Sequence, residues 1–194
     1  MARILMVAAE GLPFIKSGGL ADVIGSLPNE LAKKGHEVRV IMPLYLKIAQ
    51  KFHHEFTLEA QFSVSIAYHE VPVNIWSTMR KDVKFYFVEH KGYFEREEMY
   101  GHIDDGERFA YFQKAVIEMC NQLNYFPEIM HCHDWHTGMI PAMCKEGHSF
   151  DERYRNIRFV YTIHNLAYQG NFGVEMLDSC LGLDYRIYDN GNVR

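Results

Sequence analysis

Cysteine is scarce and shows no pairing pattern. Cys120, Cys132, Cys144 and Cys180 are the four in the chain, with no Cys-x-x-Cys spacing and no dense framework. That excludes a disulfide-stapled secreted scaffold and points to reduced thiols in a cytoplasmic protein. An excess of one charge is also lacking. The net charge of −5 is spread over 194 residues with acids and bases interspersed, so the basic stripe that nucleic acid requires is missing. No apolar stretch is long enough to cross a membrane. The run from Ile4 to Ala9 is too short for the hydrophobic region of a signal peptide, and Glu10 follows at once; a buried first strand fits better. Low-complexity linkers and internal repeats are absent as well.

What is present describes a globular domain. A composition that is 48% hydrophobic and 14% aromatic supports a large core and argues against disorder. Ile4 to Ala9 is continuously apolar, as a parallel strand covered on both faces requires. Leu20, Val23, Ile24, Leu27 and Leu31 then recur at helical spacing, and Lys33-Lys34-Gly35 supplies a cationic, glycine-ended terminus. Glu37 to Met42 is the next strand, closed by Pro43. Strand, turn, helix and strand make one βαβ unit with a parallel sheet.

Alternation over Phe62–Ile66 and Val71–Trp76 predicts antiparallel strands, and Phe85 to Val88 a return to the main sheet. A helix is expected from Asp104–Gly106 onward, burying Phe109, Phe112, Val116, Met119 and Leu123. Ile129–Cys132 reads as a strand, Thr137–Lys145 as a helix and Ile157–Ile163 as a strand. The fold class is therefore α/β, with a Rossmann-like parallel sheet flanked by helices and a β-ribbon insertion. Tyr188-Asp189-Asn190-Gly191-Asn192 is a turn signal after which the chain stops, which reads as a truncated piece.

Three segments carry polar groups. In Lys16-Ser17-Gly18-Gly19-Leu20 the glycines let backbone N–H groups approach an anion closely, with Lys16 as a cation beside them. The spacing matches neither the phosphate-loop pattern nor G-x-G-x-x-G. An anion-binding turn and a plain tight turn with a solvated lysine are both open. His131-Cys132-His133-Asp134-Trp135-His136 ends a strand. His131 and His133 share one strand face, which invites a metal reading. The competing reading is substrate binding by polar side chains at the carboxyl edge of an open sheet. Thr162 to Gly170 places His164 and Asn165 where a loop leaves the sheet, suited to sugar hydroxyls. All three segments follow strands, so one sheet would align them along one edge.

These segments, with Lys16-Ser17-Gly18-Gly19-Leu20-Ala21-Asp22-Val23 and Gly106-Glu107-Arg108-Phe109-Ala110-Tyr111-Phe112, resemble bacterial glycogen synthases and plant starch synthases in order and spacing. One departure is Ser17, where that family usually has threonine. The resemblance implies the N-terminal half of a GT-B glycosyltransferase. Residues 1–194 would form the N-terminal Rossmann-like domain, cut before its last helix and strand, with the C-terminal nucleotide-sugar domain absent. It implies a retaining transfer of glucose from ADP-glucose to an α-1,4-glucan with no metal or other cofactor, and a chain that needs its C-terminal domain for activity. His164 would stabilise the oxocarbenium-like glucose, and Asp134 and Asn165 would hold sugar hydroxyls. Lys16, with Gly18 and Gly19, would face the donor diphosphate or the acceptor edge. Asp22, Tyr100 and Trp135 would contact the glucan, Trp135 being equally suited to the core. A non-catalytic glucan-binding or regulatory module and a transferase for another nucleotide sugar are the alternatives.

Overall fold

The computed structural model describes residues 1–189. The chain opens with β1 (Arg3–Val7), α1 (Gly19–Lys33), β2 (Glu37–Pro43) and α2 (Leu46–Phe52). There follow β3 (Thr57–Ile66), β4 (His69–Arg80), β5 (Val83–Glu89), the short α3 (Lys91–Phe94) and the long α4 (Asp105–Gln122). The last part holds β6 (Ile129–His133), α5 (Ile140–Ala142), α6 (Glu152–Arg155), β7 (Arg158–Thr162), α7 (Met176–Ser179) and α8 (Arg186–Asp189).

One seven-stranded sheet runs in the order β3-β4-β5-β2-β1-β6-β7. From β5 to β7 all neighbours are parallel. β3 and β4 are antiparallel and widen the same sheet, so the expected β-ribbon is a continuation of the sheet at its β5 edge. β1 lies at the centre because it is apolar on both faces: Leu5, Met6 and Val7 are wholly buried. Each such side chain contributes ~1.5–3 kcal/mol on burial. α1 ends as its glycine requires. Gly35 has φ 86°, its N–H reaches Ala32 O at 2.9 Å, and the His36 N–H reaches Leu31 O at 3.3 Å, a Schellman cap.

Two details differ from expectation. The segment expected as one helix over Thr137–Lys145 is broken into a 3₁₀ turn at Trp135–Thr137, the single turn α5 and a wide turn at Met143–Gly147. Pro141 has no N–H to donate back into a preceding turn, and this prevents a regular helix. Of the expected turn at the end of the chain, Tyr188 and Asp189 belong to α8; residues 190–192 lie outside the described residues.

The chain order reverses around β1. It first moves outward through β2 to β5, then returns to the other side of β1 with β6 and β7. The loops leaving β1 and β6 therefore diverge at their carboxyl ends and leave a crevice, the place where open α/β sheets bind ligands. One further anchor frames it. Arg108 on α4 is fully buried. It donates to Asp105 (2.5 Å) and to the backbone carbonyls of Tyr93 (2.7 Å) and Met99 (3.3 Å). This staples the segment carrying Tyr100 onto α4 and over the crevice.

Candidate active site

The crevice encloses about 800 Å³ and is lined from three strand ends. Gly18 and Gly19 come from the loop after β1, Asp134, Trp135 and His136 from the loop after β6, and His164 and Asn165 from the loop after β7. Tyr100 closes a further side. Seven of the nine residues singled out in the sequence thus share one cavity wall. Lys16 and Asp22 are not on the lining. They pair with each other at 2.7 Å beside it, half exposed, a contact worth little in stability.

The glycine turn already holds an anion. Glu10, 3% exposed, accepts from the N–H of Ser17 and from the N–H of Gly18, the latter at 3.1 Å. Two backbone donors that would otherwise lie bare at the start of α1 are satisfied by a carboxylate, as helix N-termini favour. Sequence reasoning missed Glu10, which stood out only as the residue ending an apolar run. Gly19 is different. A Cβ there would meet nothing within 4 Å, so neither packing nor backbone explains this glycine, and the space beside it belongs to the crevice.

Asp134 has φ 58° and ψ 177°, a conformation almost confined to glycine that costs about 1–3 kcal/mol in other residues. It is held there from both sides. Its N–H donates to Thr162 O at 3.0 Å, and Oδ1 accepts from the His164 N–H at 2.7 Å. The hydroxyl of Thr137 donates to the carbonyls of His133 (3.0 Å) and Asp134 (3.1 Å). The strained residue thereby couples the β6 loop to the β7 loop.

The histidines do not converge as a ligand set. His131 Nε2 lies 2.8 Å from Thr162 Oγ1, and His133 Nδ1 lies 2.9 Å from His164 Nε2. His136 turns away and stacks against Trp135, with ring centroids 4.0 Å apart, and packs edge-on against Phe109. Burial, and then the neighbouring imidazoles of His131 and His164, hold the His133 pKa down to about 3. Burial and the Arg108 guanidinium hold that of His136 down to about 3. Both rings are neutral at pH 7. The Tyr100 hydroxyl is kept protonated by its burial and by the Glu10 charge.

Trp135 serves core and crevice together. It packs edge-on against Phe109 at 5.1 Å and tilted against Phe172 at 5.3 Å while lining the cavity. Asn165 has spent part of its amide locally, its Oδ1 accepting from the Ala167 N–H at 2.9 Å. The site therefore offers neutral imidazoles, an aromatic wall, a nearby lysine and three carboxyl groups, Glu10, Asp105 and Asp134, each already held by a backbone N–H or by Arg108. Such groups suit hydroxyl-rich ligands.

Residues 3–193 match the family model described as the starch synthase catalytic domain. The chain is 45% identical over 192 residues to a glycogen synthase of Streptococcus agalactiae serotype III (strain NEM316), covering 99% of this chain and 40% of that protein. To a glycogen synthase of Clostridium kluyveri it is 44% identical over 191 residues, covering 98% and 40%. Among solved structures, the catalytic domain of starch synthase IV from Arabidopsis thaliana, bound to ADP and acarbose, superimposes with a TM-score of 0.84. That match has 29% identity and covers 95% of this chain and 38% of that one. The chain thus spans about two fifths of the length of these relatives.

Proposed function

The chain belongs to the starch synthase catalytic domain family, and from that membership we propose that it forms one wall of a retaining glucosyltransferase site that extends an α-1,4-glucan from ADP-glucose. The observation that carries this reading is the shared crevice. Three strand-end segments, far apart in the chain, bring Gly19, Asp134, His164 and Asn165 around about 800 Å³ at the point where the strand order reverses. That a plant relative was solved bound to ADP and acarbose supports a nucleotide-sugar donor and a saccharide acceptor here.

In this reading His164 lies against the transferred glucose and stabilises its oxocarbenium-like state. Asp134 is the fixed negative group nearby, and Asn165 takes sugar hydroxyls. Lys16, freed from Asp22, and the Gly18–Gly19 edge meet the donor diphosphate or the acceptor. Tyr100, Trp135 and Asp22 lie along the glucan path. Preorganised groups aimed at developing charge are each worth a few kcal/mol, roughly 2.7–4 for a single donor in a well-studied case. The relatives' remaining length would supply the opposite wall, the adenosine pocket and the end of this domain's own sheet. The four cysteines are buried free thiols, in keeping with work in the cytoplasm.

The test is transfer of labelled glucose to glycogen by the complete protein and by the 194-residue chain. Incorporation from ADP-glucose by the complete protein alone is expected. Transfer from UDP-glucose in its place, binding of glucan without transfer, or transfer by the short chain would each overturn part of the proposal.

A further inference from the structure

His133 is the last residue of β6 and is wholly buried. It belongs to a cluster of three imidazoles. Its ring centroid lies 4.0 Å from that of His131, with the planes inclined by 31°, and 5.2 Å from that of His164, at 27°. Its Nδ1 makes the 2.9 Å bond to His164 Nε2, while its Nε2 is buried with no hydrogen-bond partner.

That asymmetry selects a tautomer. A neutral ring carries one proton. On Nε2 it would be a buried donor with no acceptor; on Nδ1 it is satisfied by His164, and only a lone pair goes unused. Orphaned buried donors are the rarer and costlier arrangement. His133 then donates, His164 Nε2 accepts, and the proton of neutral His164 sits on Nδ1. Among the described residues no protein group bonds to that Nδ1, and the residue lines the crevice. Residues 133 and 134 thereby act together on residue 164: His133 fixes the ring and Asp134 holds the backbone N–H at 2.7 Å.

We propose that His133, through its hydrogen bond from Nδ1 to His164 Nε2, is a positioning residue that sets the tautomer and ring orientation of His164, so that Nδ1–H is the donor presented to the substrate. The inference deepens the transferase reading and rests on His164 facing the sugar or the leaving diphosphate.

Two measurements test it. Long-range ¹H–¹⁵N spectra of the ¹⁵N-histidine-labelled 194-residue chain near pH 7.5 should show His164 with a protonated Nδ1 and an acceptor Nε2. In His133→Phe, which keeps a ring but removes the donor, the His164 signal should move towards the other tautomer. In the complete protein His133→Phe should lower kcat roughly 10–100-fold, taking the range seen when the outer partner of a metal-bound histidine is removed. KM for ADP-glucose should change far less, and His133→Gln, which restores an N–H donor, should recover part of the loss. A protonated Nε2 on His164 in the unsubstituted chain overturns the inference, and that spectrum decides even if His133→Phe fails to fold. Unchanged kcat in folded His133→Phe overturns it too. The spectrum needs no activity, so its failure is distinct from failure of the transferase proposal, which the glycogen assay reads.

Discussion

Buried histidines make this protein sensitive to acid. His133 and His136 are neutral in the folded chain down to about pH 3, whereas in the unfolded chain they titrate near ~6.5. Between these values the unfolded state binds more protons, so stability rises with pH and falls on acidification. Full stability is present above pH ~6.5. Below it the loss approaches ~1.4 kcal/mol per pH unit for each histidine, before the carboxylates add their own terms. Urea midpoints taken from pH 7 to pH 4 should fall, and His136→Phe should shallow that slope. An unchanged slope in a folded variant would contradict the neutral assignment of His136. The sequence exposed these histidines as a cluster but not their division of labour, because direction along the strand says nothing of which ring nitrogen is capped. Glu10 was hidden for a similar reason: an acid after an apolar run looks like the end of a strand until the amides it holds are placed beside it.

At the level of elements, local pattern was enough wherever burial decides. β1 is an apolar run buried on both faces, α1 carries its own cap, and α4 buries the face expected of it. It was silent where tertiary contacts decide. The β3–β4 turn uses Ala67 and Tyr68, both with positive φ, where glycine or asparagine is usual. It is held by the Ala67 N–H on Ser179 O at 2.7 Å and by Tyr68 Oη on Asp178 at 2.7 Å, from a segment 110 residues away.

Two glycines in site loops separate structure from function. Gly170 has φ 64°, and a Cβ there would sit 2.5 Å from the Trp135 ring. Gly170→Ala should therefore destabilise the fold, by roughly 1–3 kcal/mol. Gly19 has open space around it, so Gly19→Ala should leave thermal stability unchanged or slightly higher while impairing transfer in the complete protein. Thermal unfolding read beside the glycogen assay checks both. Loss of stability in Gly19→Ala, or full transfer by it, would remove the case that this glycine keeps room for a ligand.

For the molecule as a whole, the sheet is well buried at its centre and open at one side. β7 is an edge strand, yet Val160, Tyr161 and Ile163 on or beside it are about half exposed. A parallel strand with apolar residues on both faces is ordinarily covered, and an uncovered apolar edge invites pairing with another chain. The 194-residue chain should self-associate at high concentration, and Val160→Lys should reduce this. Sedimentation velocity over a dilution series checks it, and a monomer at every concentration would contradict it. The sequence displayed the apolar character of this strand but not its exposure, since exposure depends on what else is folded beside it. No helix among the described residues is long and apolar enough to cross a membrane.

If the crevice at the strand-order reversal is a wall of a glucosyl-transfer site with His164 on the reacting sugar, His164→Ala must slow the transfer itself. The measurement is kcat for glucose transfer from ADP-glucose to glycogen in the complete protein and in that variant, with folding of both confirmed. A loss on the order of 100–1,000-fold is expected, as when a preorganised group at a developing charge is removed. A folded variant whose kcat stays within about threefold of the unsubstituted protein, far short of such a loss, would contradict it.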